Sequence, residues 1–495
     1  MKLLGIRLCE HDSNFCLYDS GVVKYHKTER LTGIKHHAVD NLWEWEFILK
    51  DIFNISAEEL DEVCIVFDPW RHGYNNETPI YPAQIINILP NAKCPVWWLN
   101  HHLAHKLSYD PMLSKESDIS IVIDGFGDFD VSWTVFKNNE IVDTGSIRKD
   151  GSVGWHYSEI ARKLSIEGHP LDVAGKLMGL QSYGNIDVSF YDANKNKNIL
   201  EMASSDSWYI HNKSFHVAQN RLLDWARTTH ELFFDYIFSL FSKYANQNDQ
   251  ISYVGGVAQN VCWNTNLKRY FKNLQIFPHC ADDGLSIGAL KFLTNKRDLE
   301  LKLSRFPYSQ SDESPSNTPD DDTIERVSQL LAEGKIVGWY QGHGEIGPRA
   351  LGNRSILMHP NIKGGKDYIN ARVKNREDYR PFGATILKEH SNKYFYNKFE
   401  NPYMLYVDNL LSMDNGFESI RHIDNTCRTQ TLGDENPDYR KLLERFHEKT
   451  GIPMLLNTSL NRGGKPICGS IRDAFGVYYE TELDVLVIGN EVYKK

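Results

Sequence analysis

The sequence lacks long hydrophobic runs and paired cysteines. A transmembrane helix needs about 20 consecutive apolar residues, and no stretch of the 495 residues approaches that length. The apolar stretch before Glu10 is too short for a signal peptide and is typical of a first strand. The eight cysteines are scattered and none forms a C-x-x-C pair, so neither a structural zinc site nor a disulfide framework is indicated. We therefore expect a cytoplasmic protein without a membrane partner.

The chain also lacks a net positive charge, with 55 Lys and Arg residues against 65 Asp and Glu residues. The formal net charge is −10, which argues against nucleic acid as a partner, although a local basic pocket is compatible with it. Apolar residues make up 41% and charged residues 24% of the chain, which is typical of a globular protein.

The chain is too long for one ordinary core, and about 150 residues per domain predicts two or three domains. Short strands alternate with turns and helices, which predicts the α/β class. Residues 306–321 are rich in Pro, Ser and Asp, as in a solvated linker. We predict domains over 1–305 and 322–495, the second opening with a helix near Asp321 for which Thr323 is a candidate cap. No internal repeat is visible.

The segment 342–357 holds four glycines and two arginines directly after a strand-like apolar run. Glycines let a backbone approach a ligand closely, and the side chains of Arg349 and Arg354 suit phosphate or carboxylate oxygens. The segment therefore predicts an anion site. Two alternatives stay open. The G-x-G-x-x-G spacing at 342–347 is found in dinucleotide sites, although a proline follows it at once, and a plain glycine-rich turn would look similar.

Three histidines fall within residues 101–105. On a helix, His101 and His105 share one face at i and i+4, where two imidazoles can bind one metal ion. A capping or core role is the alternative. Asp124 ends a strand-like run in a glycine turn, and Asp282 lies in another turn before a helix. Together these side chains would form a mixed N/O site suited to iron, manganese or zinc.

Two glycine motifs could contact a nucleotide. Lys176 follows Gly175 and could reach a phosphate, or it could be a solvated helix residue. Gly255 and Gly256, with Asn260 shortly after them, lie between a predicted strand and a helix, where backbone N–H groups favour anions. Tight packing is the alternative for this glycine pair.

Four basic residues stand within the nine positions 372–380. Lys374 and Arg376 are two apart, so in an extended segment they would project to one side. A solvated basic face is the alternative. The predicted strand before Ser459 ends in amides and hydroxyls, including Asn461, which suits phosphate or carbonyl recognition. A polar hairpin turn would look similar.

Eight motifs follow one another along the chain: His101-x-x-x-His105, Asp124-Gly-Phe-Gly, Gly175-Lys-Leu-Met-Gly-Leu, Gly255-Gly-Val-Ala-Gln-Asn, Asp282-Asp-Gly, Gly344-Glu-Ile-Gly-Pro-Arg-Ala-Leu-Gly-Asn-Arg-Ser-Ile-Leu, Val373-Lys-Asn-Arg-Glu-x-x-Arg-Pro-Phe and Asn457-Thr-Ser-Leu-Asn. In that order they resemble the O-carbamoyltransferases of the nodulation-protein-U and cephem/aminoglycoside carbamoyltransferase type. The likeness runs from residue 1 to about 490.

The resemblance implies an N-terminal actin-like, sugar-kinase-like (ASKHA) domain and a C-terminal YrdC-like α/β domain with a basic pocket. It implies that the second domain makes carbamoyladenylate from carbamoyl phosphate and ATP. The intermediate then passes to the first domain, where a hydroxyl of a small-molecule acceptor takes the carbamoyl group.

The resemblance also implies roles for individual residues. It gives a metal site for Fe2+ or another divalent ion at His101, His105, Asp124 and Asp282, and nucleotide contacts at Lys176, Gly255, Gly256 and Asn260. It gives a carbamoyl phosphate and ATP pocket lined by Arg349, Arg354, Lys374, Arg376, Ser459 and Asn461. His11 is a candidate general base, with a metal-bound or substrate group as the alternative. His343 stands where the family usually has an arginine.

The implied cofactors are ATP, Mg2+ and Fe2+ or another divalent metal, and the implied partners are carbamoyl phosphate and a hydroxyl acceptor. The acceptor and the oligomeric state stay open, a homodimer being the simplest assembly. Two other functions are alternatives: carbamoylation of a nucleotide or nucleic-acid base, and a non-catalytic nucleotide-binding module.

Overall fold

The computed structural model describes residues 1–68, 83–86, 88–204, 219–411 and 416–495. They form two compact units: unit 1 comprises Met1–Val23 and Ala38–Lys302, and unit 2 comprises Lys24–His37 and Leu303–Lys495. The chain therefore enters unit 2 twice. Within the described residues, no helix has the length and apolar character needed to cross a membrane.

The strands fall into three sheets. In chain order they are β1 (Lys2–Arg7), β2 (Asn14–Asp19), β3 (Val22–Lys27), β4 (Glu62–Val66), β5 (Ala83–Ile85), β6 (Val96–Leu99), β7 (Ile119–Ile123), β8 (Val131–Lys137), β9 (Glu140–Ser146), β10 (Ile251–Val254), β11 (Leu274–Gln275), β12 (Val337–Tyr340), β13 (Arg354–Met358), β14 (Gly383–Leu387), β15 (Val407–Asn409), β16 (Thr426–Leu432), β17 (Met454–Ser459), β18 (Val485–Ile488) and β19 (Glu491–Lys494).

The helices alternate with these strands, which confirms the predicted α/β class. In chain order they are α1 (Glu29–Thr32), α2 (Trp45–Phe53), α3 (His101–Tyr109), α4 (Val153–Lys163), α5 (Pro170–Leu180), α6 (Val188–Asn194), α7 (Ile199–Ala203), α8 (Gln219–Tyr244), α9 (Val261–Tyr270), α10 (Leu285–Lys296), α11 (Asp321–Ala332), α12 (Gly365–Ile369), α13 (Ser391–Tyr394), α14 (Pro437–Thr450) and α15 (Ile471–Glu480).

Two sheets share one strand order. The first runs β3-β2-β1-β4-β6-β5, and the second runs β9-β8-β7-β10-β11. In each sheet the first strand of a meander, β1 or β7, pairs antiparallel with its successor and parallel with a strand that comes later in the chain. The two sheets therefore repeat one topology, although the sequence shows no internal repeat.

Helix α10 brings the turn that precedes it close to α3. A Cβ atom on Gly288 of α10 would lie 1.9 Å from the carbonyl oxygen of Ala104 in α3, so only glycine permits this approach of the two backbones. The opposite face of α10 packs on β1, where a Cβ atom on Gly5 would lie 2.1 Å from the carbonyl oxygen of Ser286. This packing fixes Asp282 and the two predicted histidine ligands in one region of unit 1.

Unit 2 is built on an eight-stranded sheet in the order β15-β16-β14-β17-β13-β12-β18-β19. Helices α11 and α14 bury Val327 and Leu442 in one core cluster with strand residues such as Trp339. A second cluster holds Val477 of α15 and Ile369 of α12 together with other strand residues. Because both faces of this sheet are covered, central strands such as β12 and β18 are buried along their whole length rather than in alternation.

The predicted linker over 306–321 lies inside unit 2. Gln310 is buried, its backbone N–H donates to the Gly344 carbonyl, and the N–H of Ser311 donates to the Tyr25 carbonyl. The backbone N–H of Gly344 in turn donates to Asp312. A composition rich in Pro, Ser and Asp indicated solvation, but the polar groups of this segment find their partners within the unit. The segment Lys24–His37 belongs to unit 2 as well, whereas the sequence placed it in the first domain.

Candidate functional site

Unit 1 gathers the four predicted metal ligands into one buried cluster. Asn100 caps α3 by accepting from the Leu103 N–H, and the helix it starts presents His101 and His105 on one face, as predicted. Asp124 follows the end of β7, and Asp282 lies in the short turn before α10. One ligand atom from each of the four side chains lies within 4.8 Å of the other three.

The cluster is tight enough for one ion. The two Nε2 atoms are 3.1 Å apart, and Asp124 Oδ2 lies 3.3 Å from that of His101 and 2.8 Å from that of His105. Asp282 Oδ1 lies 3.5 Å from each. Two imidazole nitrogens and two carboxylate oxygens suit a divalent first-row transition metal. The donor set therefore fits the implied metal without selecting iron.

Protonation follows the same contacts. Burial opposes ionisation of Asp124, but hydrogen bonds with His101 and His105 outweigh it and hold the pKa of this carboxyl below its ordinary range. Burial likewise opposes a charge on Asp282, yet the neighbouring imidazoles His101 and His11 hold its pKa well below the usual value. Both carboxylates are therefore available as anionic ligands.

His11, the predicted base, lies at the edge of this cluster. Its Nδ1 is 2.9 Å from Asp12 Oδ2, and its Nε2 is 3.8 Å from Asp282 Oδ2. About a third of the His11 side chain (32%) is exposed, whereas Asp282 is almost fully buried. Among these side chains His11 is thus the one that solvent or a substrate can reach most easily.

The predicted nucleotide contacts of unit 1 divide into two places. A Cβ atom on Gly256 would lie 3.0 Å from Asp124 Oδ1, so the glycine pair adjoins the metal cluster. The side chain of Asn260 caps α9 by accepting from the backbone N–H groups of Cys262 and Trp263. Lys176 lies on α5, where its Nζ donates to the Glu167 carbonyl at 2.5 Å.

A serine motif in unit 1 has no catalytic geometry. Residues 284–288 match G-x-S-x-G, the pattern of a nucleophile elbow. A nucleophile elbow exposes its serine on a sharp turn after a strand, but Ser286 lies in the first turn of α10 and is fully buried. This serine is a packing residue.

In unit 2, the segment 342–357 forms an irregular loop followed by β13, and no helix opens at its glycines. The dinucleotide alternative is therefore not supported, because that fingerprint places its phosphates at a helix N-terminus. Glu345 is fully buried and accepts from the N–H groups of Leu351, Asn353 and Arg354. It holds the loop in shape.

Arg354 has both terminal nitrogens of its guanidinium bonded to the protein, whereas its Nε has no hydrogen-bond partner among the described residues. Its guanidinium donates to the carbonyl oxygens of Gln341, Asn353, Glu313 and Gly342. It also stacks 3.6 Å above the Tyr340 ring and lies 3.2 Å from Asp312, with none of its surface exposed. These contacts position the loop, and a direct role in ligand binding stays a prediction.

The basic run is not extended. Residues Asn370–Lys374 form a π-helical turn, a feature frequent at functional sites, and Asn375 adopts the left-handed conformation. Lys374 Nζ donates to the carbonyl oxygens of Ser459 and Asn461 at 2.7 and 3.0 Å, and also to the Asn461 side chain. The structure thus brings Lys374 together with Ser459 and Asn461, which belong to a separate motif of the sequence.

These cations have few counter-charges. Burial, together with the nearby charges of Arg376 and Arg380, holds the pKa of Lys374 well below its ordinary value. Burial and Arg380 lower the pKa of Arg376 to about 9. Arg376 is otherwise held by Asn370 Oδ1 at 2.9 Å and the Pro381 carbonyl at 3.1 Å, both neutral acceptors.

Arg428 on β16 is the residue that sequence reasoning missed. Burial and the charges of Arg349, Arg376 and Arg380 hold its pKa well below its usual range. Its buried Nε has no hydrogen-bond partner among the described residues. Five basic residues thus influence one another's pKa through their charges, and we call them the cationic pocket: Arg349, Lys374, Arg376, Arg380 and Arg428. Arg428 has no basic neighbour in sequence, so no local motif marked it.

Two family models match this chain in sequence. The model of the carbamoyltransferase N-terminus matches residues 75–290, and that of the carbamoyltransferase C-terminus matches residues 328–495. The chain belongs to the carbamoyltransferase family. The resemblance drawn from the motifs is thereby confirmed, and the chain is assigned to a family of transferase enzymes.

Relatives of this carbamoyltransferase cover most of its length. It is 30% identical to nodulation protein NolNO of Sinorhizobium fredii, over 80% of this chain and 64% of the relative. It is 30% identical to nodulation protein NolO of Bradyrhizobium diazoefficiens, over 80% of this chain and 79% of the relative. It is 29% identical to the 3'-hydroxymethylcephem-O-carbamoyltransferase of Streptomyces clavuligerus, over 66% of this chain and 65% of the relative. The match thus spans about two thirds of two of these relatives.

Structural likeness to solved proteins is weak. The activator of the 2-hydroxyisocaproyl-CoA dehydratase from Clostridium difficile, solved with bound ADPNP, covers 60% of this carbamoyltransferase at 13% identity and a TM-score of 0.36. Component A of the (R)-2-hydroxyglutaryl-CoA dehydratase of Acidaminococcus fermentans covers 60% at 11% identity and a TM-score of 0.37. At such scores neither likeness supports an argument about the site.

The resemblance implies an arginine at the position where this chain has His343. The His343 Nδ1 lies 3.9 Å from Asp312. Burial and the charges of Arg305 and Arg354 lower its pKa below the ordinary value, so the imidazole is neutral at neutral pH. His343 therefore does not supply the charge that an arginine would bring.

Proposed function

We propose that this protein is an ATP-dependent O-carbamoyltransferase that acts in two steps. Unit 2 makes carbamoyladenylate from carbamoyl phosphate and ATP, and unit 1 transfers the carbamoyl group to a hydroxyl of a small molecule. The observation that carries the proposal is the cationic pocket, in which burial and like charge depress the pKa of Lys374, Arg376 and Arg428. Clustered cations with few counter-charges are unfavourable alone and become favourable when a polyanion binds.

We also infer the two folds that the family resemblance implies. The repeated strand order of unit 1 supports an actin-like, ASKHA-type fold. The eight-stranded sheet of unit 2 with its cationic pocket supports a YrdC-like fold. In this view each half-reaction belongs to one unit.

The first step is a substitution at phosphorus, which depends on electrostatic stabilisation of the transition state more than on covalent catalysis. Water releases phosphate from carbamoyl phosphate and leaves carbamate. A carbamate oxygen then forms a bond to the α-phosphorus of ATP, and the bond to the leaving pyrophosphate breaks. Arg349, Lys374 and Arg376 would neutralise the oxygens that gain charge. Ser459 and Asn461 hold the ammonium of Lys374 in place.

In the second step an acceptor oxygen bonds to the carbamoyl carbon, and AMP leaves. The acceptor hydroxyl must lose a proton, and His11 is suitably exposed to accept it, with Asp12 orienting its ring. His101, His105, Asp124 and Asp282 would hold the metal ion. When bound, such an ion supplies Lewis-acid polarisation of a carbonyl or phosphate oxygen.

The first step can be tested without the acceptor. Purified protein is mixed with ATP and carbamoyl phosphate, and release of pyrophosphate and phosphate is measured in a single turnover. We expect pyrophosphate to form only when both substrates are present. Lys374→Ala should slow its formation by about 10²–10³-fold, as expected when a charged donor of a transition-state site is removed.

Arg372→Ala is the matched control, because Arg372 belongs to the same basic run but is half exposed and paired with Glu482. It should release pyrophosphate at the wild-type rate. Wild-type protein that releases no pyrophosphate with both substrates would contradict the proposed reaction. A Lys374→Ala variant that releases pyrophosphate as fast as wild type would show that the cationic pocket has no role in the proposed reaction.

A further inference from the structure

The two oxygens of Asp282 face different partners. Oδ1 lies 3.5 Å from the Nε2 atoms of both His101 and His105 and belongs to the metal cluster. Oδ2 lies 3.1 Å from the guanidinium of Arg7 and accepts a hydrogen bond from it. The backbone of Asp282 is also held, because its carbonyl accepts from Asn14 Nδ2 at 2.9 Å. Asp282 therefore has little freedom to turn its second oxygen toward the histidines.

Asp124 is divided in the same way. Its Oδ2 faces the two histidines, and its Oδ1 accepts from the Gly125 N–H at 2.6 Å. Each carboxylate thus offers one oxygen to the cluster and keeps the other in a protein hydrogen bond. The four side chains therefore offer four ligand atoms. The number would be six if both aspartates bound through both of their oxygens.

Arg7 is suited to hold a ligand without repelling a cation. It is 1% exposed, and the nitrogen that contacts Asp282 also lies 2.5 Å from Glu10 Oε2. Its other terminal nitrogen donates to the Leu8 carbonyl at 2.5 Å. The charge of the guanidinium is therefore balanced by Glu10, and its fixed planar donors set the rotation of the Asp282 carboxylate.

We propose that Arg7 is a positioning residue that keeps Asp282 a one-oxygen ligand, so that the metal ion retains coordination positions for substrate oxygens. Groups outside the ligand set commonly orient metal ligands in this way, and catalytic metal sites keep an open position. The inference rests on the proposed metal centre of unit 1, and its test does not depend on the carbamoyl acceptor.

The test replaces the bound metal with Co2+ and records its visible spectrum. Co2+ with four or five ligands absorbs more strongly in the visible region than Co2+ with six. In Arg7→Gln, Asp282 is free to bind through both oxygens, which changes the number and geometry of the ligand atoms, so we expect the absorption bands to shift and to change in intensity. Arg7→Lys keeps the charge and one donor and should recover part of the wild-type spectrum.

Glu10→Gln is the matched control. It removes the other partner of Arg7 and leaves the Arg7 contact with Asp282 in place, so the Co2+ spectrum should keep its wild-type shape. Co2+ binding should weaken, because the Arg7 charge is no longer balanced. An Arg7→Gln spectrum identical to that of wild type would overturn the proposal.

A measurement on wild-type protein covers the case in which Arg7→Gln fails to fold. Infrared difference spectra with and without Zn2+ report the separation of the two carboxylate stretching frequencies, which is wider for one-oxygen than for two-oxygen coordination. We expect the wide separation for both aspartates. A narrow separation assigned to Asp282 by isotope labelling would refute the role of Arg7, whereas wild-type protein that binds neither ion would contradict the metal centre itself.

Discussion

At the scale of single residues, the cationic pocket makes anion binding depend on pH. The pKa of Arg376 is lowered to about 9 by burial and by Arg380. A bound dianion favours the protonated guanidinium, so its pKa rises on binding and a proton is taken up. The affinity for phosphate should therefore fall as the pH rises through about 9.

Inorganic phosphate is a suitable probe, because it remains a dianion over this interval. Linkage limits the fall to about tenfold per pH unit for each proton taken up. Titration calorimetry in two buffers of different ionisation enthalpy would count those protons. Lys374 has a depressed pKa as well, so its proton adds to the effect. Arg372→Ala should keep the wild-type profile, and an affinity independent of pH would show that these cations do not bind the anion.

The same residues indicate what a sequence can reveal about a site. His101 and His105 were predictable because helical spacing alone puts them on one face. Arg428 was not, because the pairing of β16 with β14, in which Arg428 is the register partner of Gly383, brings it to the segment that carries Arg376 and Arg380. Arg354 resembled a ligand-binding residue, yet the structure surrounds it with carbonyl oxygens. Residue type and spacing predict which groups could act but not which donors the fold has already used.

At the scale of elements, the turn after β10 depends on Gly255. Its φ is +101°, and a Cβ atom there would lie 2.2 Å from the Ile123 carbonyl oxygen of β7. Gly255→Ala should therefore lower the thermal unfolding midpoint of the protein and disturb the adjoining Asp124. A positive φ combined with an extended ψ of 163°, a region adopted essentially by glycine alone, costs about 1–3 kcal/mol for a residue with a side chain, and the contact with β7 adds to this.

Gly21→Ala separates these two causes. Gly21 has a similar φ of +97°, but nothing lies within 4 Å of the added Cβ atom. The thermal unfolding midpoint of Gly21→Ala should fall only by the cost of the positive φ, and the metal content of this variant should match that of wild type. Equal midpoints for the two variants would show that the approach to β7 is not essential.

Elements were more predictable than their ends and arrangement. The strand predicted before Asp124 is β7 (Ile119–Ile123). The helix predicted near Asp321 is α11, but Asp320 caps it and Thr323 supplies the N–H that Asp320 accepts. Periodicity fixes where apolar faces lie, whereas the choice of cap depends on which side chain can turn back toward the helix.

At the scale of the whole molecule, the shared strand order of the two unit 1 sheets left no trace in the sequence. Pairing requires only buried apolar runs of the right length and direction, so many sequences satisfy one topology. Unit 2 shows a related limit. Its segment Lys24–His37 lies far from the rest of the unit in sequence, and composition cannot assign such a segment to a domain.

The division into two units also predicts that the two half-reactions can be separated by mutation. The metal cluster consists of unit 1 residues, and every residue of the cationic pocket belongs to unit 2. His101→Ala removes one of four ligands and should leave purified protein with little bound metal by elemental analysis. Pyrophosphate release from ATP and carbamoyl phosphate should continue near the wild-type rate, since the cationic pocket is intact.

Lys374→Ala provides the reciprocal comparison, because it should keep its metal and lose the release of pyrophosphate. Neither measurement needs the acceptor, so both can be made on the full chain. A His101→Ala protein that retains its metal would contradict the ligand assignment. A folded, metal-free His101→Ala protein that has also lost pyrophosphate release would mean that the metal centre serves the first step, and the assignment of one step to each unit would then be wrong.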